Sequence, residues 1–256
     1  MEYDIDRQIA EFRINGYTVF EQLIDEEKID GILEAWGQVR DADIKVQGEN
    51  PSRGWGRYNV RVPFERPFVD PDIFEHPAVV AFCDRVLGPD YVWSHFDSNM
   101  PLPGTDYQNW HRDGPASPFP HLMTPAFTIG CKFPLVDTSE ENGSFEVIPC
   151  TQYVHSDFYD GSLDDLMGHG DRTNPNFHPI RLNLKKGSLW MHDGRVIHRG
   201  TPNRSEQPRD ELCMGFCQPW VHNKWAHTTE PHVPAELWAG LSEHARQVLR
   251  WQRVMD

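Results

Sequence analysis

The sequence predicts a mainly β protein with flanking helices, folded as a double-stranded β-helix (a cupin-like jelly roll) that occupies residues 1–256 as a single domain. Three observations lead there. From Asp90 onward, eight strand-like runs follow one another, separated by turn chemistry such as Glu141-Asn142-Gly143 and Lys186-Gly187. Helical patterns lie before and after these runs, where they would flank a sheet. At 256 residues and 38% hydrophobic content, the chain is long enough to bury one sizeable core.

Taken in order, Ile5–Ile14 has the apolar spacing of an amphipathic helix, and the Asn15-Gly16 turn ends it. "NGYTVFEQLI" then reads as a strand, and "DEEKIDGILEAW" as a second helix with Asp25 at its N-cap. Between Asp41 and Pro71 the chain is rich in Gly, Pro and Arg without any period, which predicts a long functional loop covering a pocket. "HPAVVAFCDRVLG" is a third helix, with Pro77 in its first turn and Gly88 closing it. The strands expected are "YVWSHF", "YQNWHRD", "AFTIGCKFPLV", "GSFEVIP", "HPIRLNL", "GSLWMH", "RVIHRG" and "ELCMGFCQPW". Asp157–Phe177 is a polar, Gly-rich insertion, and "PAELWAGLSEHARQVLRW" reads as one helix over a face of the sheet.

Bulk properties exclude several function classes. A formal net charge of -15 repels phosphate backbones and anionic lipid, so neither nucleic acid nor a membrane surface is an expected partner. No run of about 18 uncharged apolar residues exists, and the N-terminus is acidic, which points to a cytoplasmic protein with no membrane span or signal peptide. Five cysteines without CxxC spacing fit a reducing compartment and free thiols. Oligomeric state is not legible.

His-x-Asp triplets occur more often than the roughly one expected by chance, among them His95-Phe96-Asp97, His111-Arg112-Asp113 and His155-Ser156-Asp157. Alternation along a strand puts residues i and i+2 on one face, so each triplet can offer an imidazole nitrogen and a carboxylate oxygen to a single ion. Context selects the second. His155 leaves a strand for the polar insertion, and His95 has no distinctive neighbours. His111-Arg112-Asp113 ends its run at Gly114-Pro115, where the side chains can sit at a barrel mouth. It also has a partner segment in "KKGSLWMHDGRVIHRGTPNRSEQPR", whose second short strand carries His198. Two histidines and one carboxylate on one face leave three open positions and are the signature of non-haem Fe(II) oxygenases.

With these residues in place, the chain resembles the phytanoyl-CoA dioxygenase family of Fe(II)/2-oxoglutarate oxygenases. The similarity runs from "FRINGYTVFEQLIDEEKIDGI" through "HPAVVAFCDRVLGPDY", "WHRDG" and "EENGSFEVIP" to "KKGSLWMHDGRVIHRGTPNRSEQPR". It implies His111, Asp113 and His198 as iron ligands and Arg209, eleven positions after His198, as the anchor for the far carboxylate of 2-oxoglutarate. A planar guanidinium suits that task because it bonds a carboxylate bidentately and keeps its charge when buried. Arg204, in the turn "PNRSEQP", is the rival and reads as solvent-facing. Arg209, Cys213, Gly215 and Cys217 share one strand face, and Glu211 falls on it as well.

The resemblance also implies a hydroxyl two positions beyond the distal histidine for the same carboxylate. Gly200 stands there, and Thr201 one later. Gln108, three before His111, matches a glutamine used by similar enzymes for the near end of the co-substrate, although pleat parity sets it opposite His111. "PCTQ" departs from the family's Pro-Gly-Ser-His. A carboxylate at Asp113, where halogenating relatives carry a small residue, implies hydroxylation or a variant such as desaturation, epimerisation or cyclisation, with O2 as co-substrate and succinate and CO2 as products.

Trp110 is read as a substrate-pocket residue and Trp190 as strand core or pocket wall. His192 reads as a strand histidine with ordinary partners, and His121, His169 and His178 as solvated loop residues. Arg53, Arg57 and Arg61 either meet an anionic group or offset local acid. The substrate is expected to be a small molecule, with secondary metabolism as a plausible setting. Zinc also accepts this ligand set, so a zinc-dependent hydrolase and a non-catalytic jelly-roll binding protein are the alternatives.

Overall fold

The computed structural model describes residues 3–48, 53–114, 124–154, 162–221 and 232–255. Helix α1 (Ile5–Asn15) begins at Asp4, whose side chain accepts the Arg7 N–H, and ends where Gly16 turns left-handed at φ 84°. Strand β1 (Tyr17–Phe20) follows directly. Helix α2 (Glu26–Gln47) is capped by Asp25 and buries Ile29, Ile32 and Trp36. It is longer than expected: the loop predicted from Asp41 starts only after Gln47. Residues 41–47 lack Gly and Pro, and Ile44 continues the apolar stripe against the core.

The short ribbon of β2 (Arg57–Tyr58) and β4 (Met100–Pro101) and helices α3 (Pro71–Phe74) and α4 (Pro77–Leu87) complete the first half, with β3 (Val92–Ser98) preceding β4. Strands β5 (Thr128–Pro134), β6 (Glu146–Ile148), β7 (Ile180–Arg181), β8 (Leu189–Asp193), β9 (Ile197–Arg199) and β10 (Glu211–Cys217) then form two antiparallel sheets. The larger has the order β1-β8-β5-β10-β3 and the smaller β7-β6-β9. This is the predicted jelly roll with flanking helices.

Register explains how one buried sheet serves two layers. Leu189 and Met191 of β8, Cys131 and Phe133 of β5, and Leu212, Met214 and Phe216 of β10 join Phe12, Ile29, Trp36 and Phe82 of the helices in the main core. The alternate residues, Trp190, His192, Gly130, Lys132, Glu211, Cys213 and Gly215, face the smaller sheet. Trp190 packs there with Phe145, Val147 and Val196.

Two expected elements differ. Residues 107–113 form no strand; His111 makes only an isolated bridge to His198. Before His111 the pairing with β9 slips by one residue, Gln108 rather than Asn109 donating to the Gly200 carbonyl at 2.9 Å, while the Trp110 N–H, on the opposite edge, is held by the Asp164 carboxylate at 2.9 Å. The single C-terminal helix is two short ones, Ala235–Gly240 and Glu243–Val248, because Ser242 caps a new start by accepting the Ala245 N–H. His95 and Asp97 lie on β3 as expected, while His121, His155 and Asp157 lie outside the described residues. No helix among the described residues is long and apolar enough to cross a membrane.

Candidate active site

Between the two sheets, His111, Asp113 and His198 each place a ligand atom within 4.8 Å of the others. The bridge makes this happen: His111 and His198 exchange backbone hydrogen bonds of 3.0 and 3.1 Å, which holds the 107–113 segment against β9. Farther along, Gly114 donates to the Gly194 carbonyl at 2.7 Å, and an added Cβ on Gly114 would come within 3.0 Å of the Gly194 Cα. Only glycines permit that crossing.

Backbone carbonyls set both tautomers. His111 Nδ1 lies 2.8 Å from the Asn109 carbonyl and His198 Nδ1 3.2 Å from that of Val196. A carbonyl only accepts, so each Nδ1 carries the proton and each Nε2 turns a lone pair to the shared space. Burial, with the neighbouring His198, pulls the His111 imidazole down to about 4, so it is neutral at physiological pH. Burial works against the Asp113 carboxylate, but the charge of Lys132 outweighs it and holds the group well below the usual range. The donor set of two neutral imidazoles and one carboxylate fits a divalent metal of the first transition row. Positive charge is already accommodated there: the Lys132 ammonium lies 3.0 Å from Asp113 Oδ2 and 3.2 Å from His198 Nε2.

Lys132 and His192 are the residues that motif reasoning missed. Lys132 sits between Cys213 and Trp190 in register, its ammonium 4.5 Å above the Phe145 ring and 4.9 Å from that of Trp190. His192 is fully buried, stacks on Trp190 at 4.5 Å, and turns an unpartnered Nε2 to within 3.6 Å of Asp113 Oδ2. It is therefore not the ordinarily satisfied strand histidine that was expected. Gly130 of β5 makes room, since a Cβ there would run into the His192 ring. The available signal was parity: a lysine in the apolar run "TIGCKFP" and a histidine in "LWMHD" both fall on the inward face.

At the other end of this interior, Arg209 is fully buried, with Nη1 donating to Glu211 Oε2 at 3.1 Å and its guanidinium 4.6 Å from the Phe145 ring. Its Nε and Nη2 have no partner, nor does Glu211 Oε1. Burial raises the Glu211 carboxyl above the usual range against the pull of Arg209. Arg204 is exposed. Gln108 turns its side chain to β9, where its amide oxygen accepts the Gly200 N–H at 3.0 Å. The Thr201 hydroxyl donates to the Ser144 carbonyl at 2.7 Å. Trp110 is not brought to this group. Pointing opposite to its neighbour His111, it packs with Ile148, Met167 and Ile197, and the Arg199 guanidinium lies 4.1 Å from its ring.

The profile of the family described as phytanoyl-CoA dioxygenase matches residues 12–210. Among curated proteins, dioxygenase trt7 of Aspergillus terreus is 27% identical over 191 residues, covering 72% of this chain and 60% of its own length. Dioxygenase FUM3 of Gibberella moniliformis is 25% identical over 194 residues, covering 73% of this chain. The match spans 60% of the length of each of these two relatives. Among solved structures, AviO1 from Streptomyces viridochromogenes superposes with a TM-score of 0.63 at 16% identity, covering 87% of this chain and 99% of that one. The epimerase SnoN in complex with Fe3+, alpha-ketoglutarate and nogalamycin RO gives 0.58 at 17% identity, covering 84% and 83%. At these identities the likeness is one of fold.

Proposed function

We build on the premise that this chain belongs to the phytanoyl-CoA dioxygenase family of Fe(II)- and 2-oxoglutarate-dependent enzymes, and we propose that it hydroxylates an unactivated C–H bond of a small-molecule metabolite. The observation that carries the reading is the convergence of His111, Asp113 and His198, with both Nε2 lone pairs directed to one space. These three side chains would hold the iron. Bound Fe(II) with 2-oxoglutarate and O2 supplies the oxidising power, releasing succinate and CO2. The protein's part is geometric and electrostatic.

His111 and His198 are each fixed by a carbonyl, so little rotamer freedom is lost when a metal binds. Asp113 fills the corner that a halide would need, which favours hydroxylation over halogenation. Arg209 offers two unpartnered donors for a carboxylate remote from the metal. Trp190 and Phe145 enclose the space between the two ends with apolar surface and exclude water from it. Two relatives are named dioxygenases and come from fungi; a small natural-product scaffold is the substrate class we assign.

The test is spectroscopic. Fe(II) and 2-oxoglutarate added anaerobically should produce a weak visible charge-transfer band, and air should then yield succinate. Asp113→Ala should lose both, with turnover down by at least about a thousandfold. A folded, metal-loaded protein that shows neither band nor succinate would refute the assignment and leave zinc chemistry or simple binding.

A further inference from the structure

Arg57 enters the same interior as Arg209 from an adjacent piece of backbone. Arg57 pairs with Pro101 in the β2–β4 ribbon, and Arg209 donates its backbone N–H to the Pro101 carbonyl at 3.3 Å. Both side chains are buried, Arg57 at 3% exposure and Arg209 at 0%. Arg57 is held by carbonyls: Nε donates to Asp106 at 3.0 Å, and Nη2 to Asp106 and Thr201 at 2.5 and 2.6 Å. Its Nη1 has no partner. That nitrogen shares the space beside Gly200 with the Gln108 amide oxygen: an added Cβ would lie 2.7 Å from the first and 2.5 Å from the second.

Two buried guanidiniums with three unpartnered nitrogens between them (Arg57 Nη1, Arg209 Nε and Arg209 Nη2) are an unfavourable pair on their own. Glu211 answers one of them, through Arg209 Nη1. The mutual repulsion is evident in Arg57, whose guanidinium burial and then Arg209 pull down to about 9. A bound carboxylate would relieve it, since two oxygens can accept from both arginines at once.

We propose that Arg57 is a second anchor for the metal-remote carboxylate of the diacid co-substrate, its Nη1 standing in the space that a side chain at Gly200 would take. The inference rests on the function proposed above and names one more residue of that site. It makes the anchor a pair of arginines gripping one carboxylate. The lack of a side chain at Gly200 becomes a requirement, because any substituent there crowds both Arg57 Nη1 and the Gln108 amide oxygen.

The experiment is calorimetric titration of the Mn(II)-loaded protein, which is redox-quiet, with 2-oxoglutarate and, as a probe lacking the remote carboxylate, with 2-oxobutyrate. Arg57→Met should weaken 2-oxoglutarate by about 30-fold, the scale of one charge-assisted hydrogen bond, and leave Mn(II) and 2-oxobutyrate affinities within about twofold. Gly200→Ser alone should also weaken 2-oxoglutarate, because it pushes Arg57 aside. The double variant R57M/G200S should recover part of the loss by restoring a hydroxyl. If Arg57→Met fails to fold, Arg57→Lys and Gly200→Ser carry the same test, each predicting weaker 2-oxoglutarate with unchanged 2-oxobutyrate. Unchanged 2-oxoglutarate affinity in these variants, or equal loss for both keto acids, overturns the role of Arg57 while leaving the function intact. A Mn(II)-loaded wild type that binds no 2-oxoglutarate overturns both.

Discussion

Lys132 holds its ammonium against the same Asp113 oxygen and His198 nitrogen that a metal would use. It is an internal cation competing with an external one. Lys132→Met, close in length and apolar, should therefore tighten Mn(II) or Fe(II) binding by about tenfold, the size of a like-charge repulsion at partly screened distance. The metal-free protein should lose about 1 kcal/mol, since the Asp113 side chain keeps 31% of its surface exposed and the ion pair is partly screened. Metal titration and thermal melts with and without metal read the two effects, and weaker metal binding in the variant would refute the competition. This residue shows where sequence reasoning stopped. His111, Asp113 and His198 announce themselves because ligand types recur at a spacing a metal requires. Lys132 and His192 belong to no motif, and their role appears only once the register places them beside Asp113.

At the level of elements, the site depends on a turn as much as on its strands. The Asp193-Gly194 turn between β8 and β9 runs so close beneath Gly114 that a Cβ on Gly194 would sit 2.9 Å from the Gly114 Cα. Gly194→Ala should push the 107–114 segment off β9, lengthen the His111–His198 bridge and lower metal affinity by at least about tenfold, roughly the cost of one strained or lost backbone hydrogen bond. The far-UV circular dichroism should be unchanged. Equal metal affinity in the variant would show that the crossing is slack. The sequence pattern marked this segment as a strand because its residues alternate, yet its pairing with β9 slips at Gln108, and its other edge is held by Asp164, fifty-four residues away, which takes the Trp110 N–H. A partner so distant is invisible to local pattern. The ligand pair still converges because the bridge, not the pleat, holds it. In the same way α2 outran its predicted end, since the loop signal from Gly and Pro begins only at Gly48.

Across the whole molecule negative charge predominates, while buried cations gather around the candidate site. A chain of net charge -15 carries Arg57, Lys132 and Arg209 in its interior, each at most 6% exposed, opposed there by Asp113 and Glu211. A divalent metal and a dianionic keto acid bring equal and opposite charges, so together they leave that interior balance as it was. The overall architecture was legible because turn residues punctuate the strands and the helices announce their caps at Asp25, Pro77 and Gly88. What was not legible is which strand neighbours which. That order has a practical outcome: β1 lies at the rim of the larger sheet, hydrogen-bonded to β8 from Tyr17↔His192 to Phe20↔Leu189. Removing residues 1–20 would strip β8 of its outer partner and bare a ladder of amide and carbonyl groups, inviting other copies to dock there. Light scattering of such a truncated chain should report more self-association than the intact chain shows, so β1 works as a gasket on the rim of the sheet.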